Sequence, residues 1–146
     1  VDYQALKHVF AIPDIDQQQL VVRPEFYGEN SSNTLTVEVL DGKKTIAKRS
    51  AKATNLSTIV LPMKNARLWS PEDPYLYDVK YTVRNAKGDI IDQVSSYVGM
   101  RKVHIQDGYF YLNNKPYFQR LVLDQGYYPD GIWCSCHNQS FFSCFF

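Results

Sequence analysis

The stretch LWSPEDPYLYDVKYTV, residues 68–83, joins a tryptophan and two prolines to a strictly alternating run. In an extended chain successive side chains face opposite ways. Tyr75, Tyr77, Val79, Tyr81 and Val83 therefore share one face, while Leu76, Asp78, Lys80, Thr82 and Arg84 share the other. That pattern predicts a half-buried strand. The preceding Trp69-Ser70-Pro71-Glu72-Asp73-Pro74 cannot continue it, because each proline fixes φ, lacks an N–H and restricts the residue before it. A stiff loop feeding a strand is expected, with Trp69 packed beneath it and its indole buried. On that expectation the loss of Trp69 destabilises the fold more than the loss of Tyr77.

Outward from this stretch the same period recurs. Alternating runs bounded by turn residues fall at 6–12, 19–26, 34–40, 44–49, 57–62, 75–84 and 89–98. YGENSSN at 27–33, DGK at 41–43 and NAKGD at 85–89 punctuate them as turns. No segment holds a helical period over ten or more residues. About seven short strands at nearly regular spacing are the pattern of an all-β, immunoglobulin-like β-sandwich, here without the cysteine pair of antibody domains. After residue 100 the texture changes: KVHIQ reads as a short strand, GYFYLNN as a hairpin turning at Asn113-Asn114, and KPYFQRLVL as a strongly apolar strand. Beyond Trp133 it changes again, to CSCHNQSFFSCFF, which has no charge and neither clean period.

The bulk properties exclude more than they assign. At 146 residues the chain holds one ordinary domain, or a small one plus part of another. Sixteen basic and fifteen acidic residues, dispersed along it, offer no face for nucleic acid. Its apolar runs are too short to cross a membrane, and residues 1–20 lack the pattern of a secretory leader, which tilts the expected compartment toward the cytoplasm. All three cysteines follow Trp133, so the sandwich must be stabilised by packing.

Chemistry finds little footing. No G-x-S-x-G, Gly-rich phosphate loop or H-E-x-x-H occurs, and no cofactor is implied. His8 and His104 sit in alternating strands and read as structural. A glycosidase needs two carboxylates held close across a sugar. Glu25 and Glu38, the glutamates on predicted strands, alternate against apolar faces and read as solvent-facing. Tyr109, Phe110, Tyr111, Tyr117, Phe118, Tyr127 and Tyr128 form an aromatic cluster suited to packing between modules or to gripping a sugar. Cys134, Cys136, His137 and Cys144 are nominal metal ligands, but the C-x-C spacing is unlike structural zinc sites and no metal is expected.

Three ordered motifs give the chain a resemblance. LWSPEDPYLYDV at 68–79, VGMRKV at 98–103 and YFYLNNKPYFQRLV at 109–122 are similar to segments of glycoside hydrolase family 2, which includes β-galactosidases, β-glucuronidases and β-mannosidases. Trp69, Pro71, Pro74, Leu76 and Tyr77 match its W-S/T-P-x-x-P-x-L-Y motif; Gly99 and Arg101 match F-G-x-R; Leu112, Asn113 and Pro116 match L-N-G-x-P. Val98 replaces the usual phenylalanine and Asn114 the usual glycine, and R-G-V-N-x-H is replaced by Arg120-Leu121-Val122-Leu123-Asp124-Gln125. The resemblance implies an immunoglobulin-like sandwich at 1–103, then a connector hairpin and the first strand of a truncated (β/α)8 barrel at 104–133. Residues 134–146 are expected to be foreign to the native protein. It further implies a longer parent that hydrolyses terminal β-glycosides with retention. The catalytic glutamates would lie on later barrel strands, so none is assigned in this chain. An N-terminal jelly roll and the catalytic barrel would be the sandwich's partners, and carbohydrate the parent's substrate. Asp124, at the end of the apolar run, is the residue expected to reach the active-site end of the barrel. A carbohydrate- or protein-binding module is the alternative to a scaffold.

Overall fold

The computed structural model describes residues 4–28 and 32–121. Ten strands run in order: β1 (Ala5–Asp14), β2 (Gln19–Tyr27), β3 (Thr34–Asp41), β4 (Lys44–Lys52), β5 (Ile59–Pro62), β6 (Tyr77–Arg84), β7 (Ile90–Val98), β8 (Val103–Gln106), β9 (Tyr109–Leu112) and β10 (Lys115–Pro116). The first seven form two sheets, ordered β1-β2-β5 and β4-β3-β6-β7, and the last three form a small meander, β10-β9-β8. All strand pairs are antiparallel, and the described residues contain no helix. This is the immunoglobulin-like sandwich expected from the alternating runs.

The core lies where the inner faces of the two sheets meet. Leu20, Val22 and Phe26 alternate inward along β2, with Ile59 and Leu61 from β5 beside them. Leu35, Val37 and Val39 on β3 and Tyr77, Val79, Tyr81 and Val83 on β6 meet them from the other sheet. The period read from residues 75–83 thus places four of its five inward side chains in the core. Tyr75 stops short, half-buried at the rim with its ring edge-on to Tyr77 at 5.1 Å. Because the backbone N–H of Tyr75 bonds Asp73 O at 2.8 Å, the chain is still turning there and β6 opens two residues later than the alternation predicts.

Pro24 lies inside β2, the middle strand of its sheet, where a missing N–H should be costly. The cost is avoided because β5 pairs only with Gln19–Val22. Past Val22 the loop after β4 replaces a strand: Leu56 N bonds Pro24 O at 2.7 Å and the Asn55 side chain accepts from Phe26 N at 2.7 Å.

The meander contains the expected turn at Asn113-Asn114, both left-handed at φ 53° and 64°, and a second at Asp107-Gly108, φ 51° and 78°. Two consecutive positive φ values are the signature of tight hairpin turns, which Asn and Gly tolerate. The apolar strand expected over KPYFQRLVL forms only at Lys115–Pro116, and Tyr117–Leu121 continue without strand structure. Val122, Leu123, Asp124, Tyr127, Tyr128 and the tail 134–146 lie outside the described residues.

Candidate functional site

The loop at 69–74 is braced from within. Ser70 and Asp73 exchange backbone hydrogen bonds at 3.0 and 3.1 Å, and Asp73 N also reaches Ser70 Oγ at 3.1 Å. The Arg67 guanidinium grips the Asp73 carboxylate through two bonds of 2.7 and 2.6 Å and lies 4.3 Å from the Tyr75 ring centre. This pairing holds the Asp73 carboxyl below its ordinary range. Below, Tyr77 Oη accepts from Arg67 N at 2.8 Å, tying the loop to the core.

Trp69 is the point where the separate motifs meet. Its N–H bonds Met100 O at 2.9 Å, and its carbonyl accepts from Asn113 Nδ2 at 2.9 Å. The Arg101 guanidinium sits 4.7 Å from the indole ring, a cation–π distance. Gly99 passes so close that a β-carbon there would stand 3.2 Å from three Trp69 side-chain atoms. Asn113 completes the knot: its N–H bonds Lys102 O at 2.8 Å, and its Oδ1 accepts from Lys102 N at 3.0 Å. Its left-handed backbone and both ends of its carboxamide are therefore committed.

Two further contacts pin the meander to the sandwich. Asp16, in the β1–β2 turn, accepts from Lys102 Nζ at 2.5 Å and Asn114 Nδ2 at 2.7 Å, which lowers its carboxyl pKa. Tyr117 Oη donates to Glu72 Oε1 at 2.8 Å; the bond lowers the Glu72 carboxyl and raises the Tyr117 phenol. Between loop and meander opens a cleft of about 620 Å³, walled by Trp69, Pro71, Phe110, Tyr117, Phe118 and Leu121.

The structure gathers Trp69, Gly99, Arg101 and Asn113, each predicted as a motif residue, into one junction. Trp69 itself is half-buried, not buried as expected, because it lines both this cleft and a second hollow that it shares with Ala11, Leu76 and Tyr97. Among the described residues the aromatic cluster forms no flat row. Phe110 meets Tyr117 edge-on at 6.4 Å, Tyr111 stacks on His104 at 5.0 Å, and Tyr109 and Phe118 are exposed. Glu25 and Glu38 lie on different sheets, each beside a lysine, Lys7 and Lys48, at 3.7 Å. Among the described residues no cluster of His, Cys, Asp or Glu is placed to hold a metal ion. Asp16, Arg67 and Lys102 carry no signal of their roles in the sequence, since Asp16 meets partners 86 and 98 residues away.

The 69–74 loop, the residues that follow the last strand of the sandwich and the adjoining meander thus meet at one tryptophan. Residues 4–101 match the family described as Glycosyl hydrolases family 2, and the chain belongs to that family. Among its relatives are the β-galactosidase of Leuconostoc mesenteroides, 32% identical over a stretch covering 80% of this chain and 13% of the relative, and that of Oenococcus oeni, 30% identical, covering 70% and 11%. The fold is similar to that of a solved β-glucuronidase from Ruminococcus gnavus, with a TM-score of 0.65 at 23% identity, covering 80% of this chain and 19% of that one. The chain thus spans a small part of the length of the relatives it matches.

Proposed function

We propose that this chain is the interdomain scaffold of a family 2 glycosidase, with the sandwich at 1–103 and the connector that enters the catalytic barrel at 104–133. The observation that carries the reading is the junction: Trp69, Gly99–Arg101 and Asn113, up to 44 residues apart, share one set of contacts. Their bonds fix a backbone direction at Leu112–Asn113 and engage both ends of the Asn113 carboxamide and its N–H within the protein. In the parent, hydrolysis of terminal β-glycosides with retention belongs to carboxylates of the barrel, and Asp124 reaches its active-site end. The chain by itself is then inert. The expected result is no release of nitrophenol from galactoside, glucuronide or mannoside substrates by the 146-residue chain. Turnover that survives repurification and disappears on changing a carboxylate of this chain would contradict the reading.

The binding-module alternative draws on the aromatic cleft. It predicts that galactose, glucuronate or mannose quenches or shifts the fluorescence of Trp69, read in a Trp133→Phe variant, in a saturable manner; the scaffold reading predicts no change.

A further inference from the structure

Among the described residues β1 and β5, β4 and β7, and β8 and β10 stand at sheet edges. An edge strand presents a row of unpaired N–H and C=O groups, and most edges carry something that keeps another strand away. β4 bears Lys44, Lys48, Arg49 and Lys52; β1 is interrupted by a register shift between Leu6 and His8 and by Pro13. β5, β8 and β10 run for only four, four and two residues. β7 runs for nine, and its one charge, Asp92, and its one register shift, opposite Val83 and Arg84, fall near its start. From Gln93 to Val98 it has no charge, no proline and no shift. The same stretch is open on both faces. Val94 and Ser96 lie opposite Tyr81 and Val79, on the side turned toward the core, yet Gln93–Tyr97 are all exposed, Val94 by 38% and Tyr97 by 68%. β1 closes on β7 at Leu6, whose N–H bonds Asp92 Oδ2 at 2.8 Å, but a hollow of about 390 Å³ opens between Ala11, Pro13 and Tyr97 at the far end. No backbone hydrogen bond joins Gln93–Tyr97 to any described residue outside β6.

We propose that the Gln93–Val98 edge of β7 pairs antiparallel with the same edge of a second copy of this chain, joining two four-stranded sheets into one. Charge selects the occupant. A two-fold axis sets the strand against itself, so that like meets like. On β4 that would place lysine beside lysine, whereas Gln93–Val98 bring only neutral side chains together. Closure follows from the other edge. Once both β7 strands are paired, the outermost strands of the joined sheet are the two basic β4 strands, and addition stops at two copies. The contact falls well short of the roughly 20–30 residues a side used by stable pairs of separate molecules, so the dissociation constant should be on the order of 10–100 µM. The pairing does not rest on the scaffold reading, and either can fail alone.

Sedimentation equilibrium of the 146-residue chain under reducing conditions, from about 5 µM to about 1 mM, tests it, with hydrogen exchange followed at both concentrations. A monomer–dimer equilibrium is expected, in which protection of the Gln93–Val98 amides rises with concentration and that of the β4 amides does not. Ser95→Glu should weaken the dimer by at least about tenfold, because two carboxylates then approach across the axis. The fold tolerates it, since Ser95 is exposed and lies opposite Lys80 in its own sheet. The neutral Ser95→Gln and, on the opposite edge, Ile46→Lys should leave association unchanged. A chain that stays monomeric throughout the range would overturn the proposal, as would growth beyond two copies. So would a dimer that Ser95→Glu leaves intact and the tail substitutions Phe141→Ser, Phe142→Ser disperse.

Discussion

Gly99 and Trp69 approach so closely that residue 99 has no room for a methyl group without displacement of the indole by a few tenths of an ångström. Gly99→Ala should cost about 1–2 kcal/mol in a denaturant titration, the usual range for modest overpacking. Trp69→Ala should cost about 2–3 kcal/mol, less than a fully enclosed tryptophan, because Trp69 is only half-buried between two hollows. Tyr77→Ala should exceed both, at about 3–5 kcal/mol, since it opens the core and leaves Arg67 N without its acceptor. The structure thereby reverses the order expected from the sequence, which sets the tryptophan above the tyrosine. Periodicity identifies Tyr77 as inward, but nothing local to Trp69 shows that it stands at an open seam. Tyr81 carries a pH consequence. Burial pushes its phenol up to about 12 from 10.0. A raised pKa stabilises the fold below the unfolded value, and that contribution is lost as pH rises through the folded one. Stability should thus decline between pH 10.0 and about 12, with tyrosinate absorbance rising alongside unfolding.

At the scale of elements, the strands are readable because each sheet has one buried face, so the period of two is imposed by the core. Their ends are less readable. β4 runs on to Lys52 because β3 offers Thr34 and Leu35 as partners, and Pro24 is tolerated only because β5 is short. The turn at Asp107-Gly108 carries a strong hairpin signal that the apolar texture around it obscures. The clasp between meander and sandwich is not legible, since Asp16 and Glu72 look like ordinary turn and loop carboxylates. Both have lowered pKa values, so their contribution is present above the ordinary carboxylate range and lost as pH falls through the lowered ones. Protection from hydrogen exchange in β8–β10, measured relative to the intrinsic exchange rate at each pH, should fall on acidification well before protection in β2, β3 and β6. A uniform loss of protection across all strands would mean that these contacts do not hold the meander.

For the whole molecule, the described core residues all lie between Ala5 and Leu112. Deleting residues 134–146 should accordingly leave the cooperative unfolding transition in place; a chain that no longer folds would contradict this. The central claim is that the junction sets geometry and binds no sugar, and Asn113→Ala in the full-length polypeptide tests it most directly. The substitution leaves Trp69 O and Lys102 N without their partner and places alanine at φ 53°. It should cost about 2–3 kcal/mol of stability. The measurement is kcat/KM for a β-glycoside at 25 °C beside the temperature of half-inactivation. The scaffold account predicts kcat/KM within about twofold and inactivation several degrees lower. A fall in kcat/KM of about a hundredfold with unchanged inactivation would show that Asn113 serves the transition state, and would contradict it.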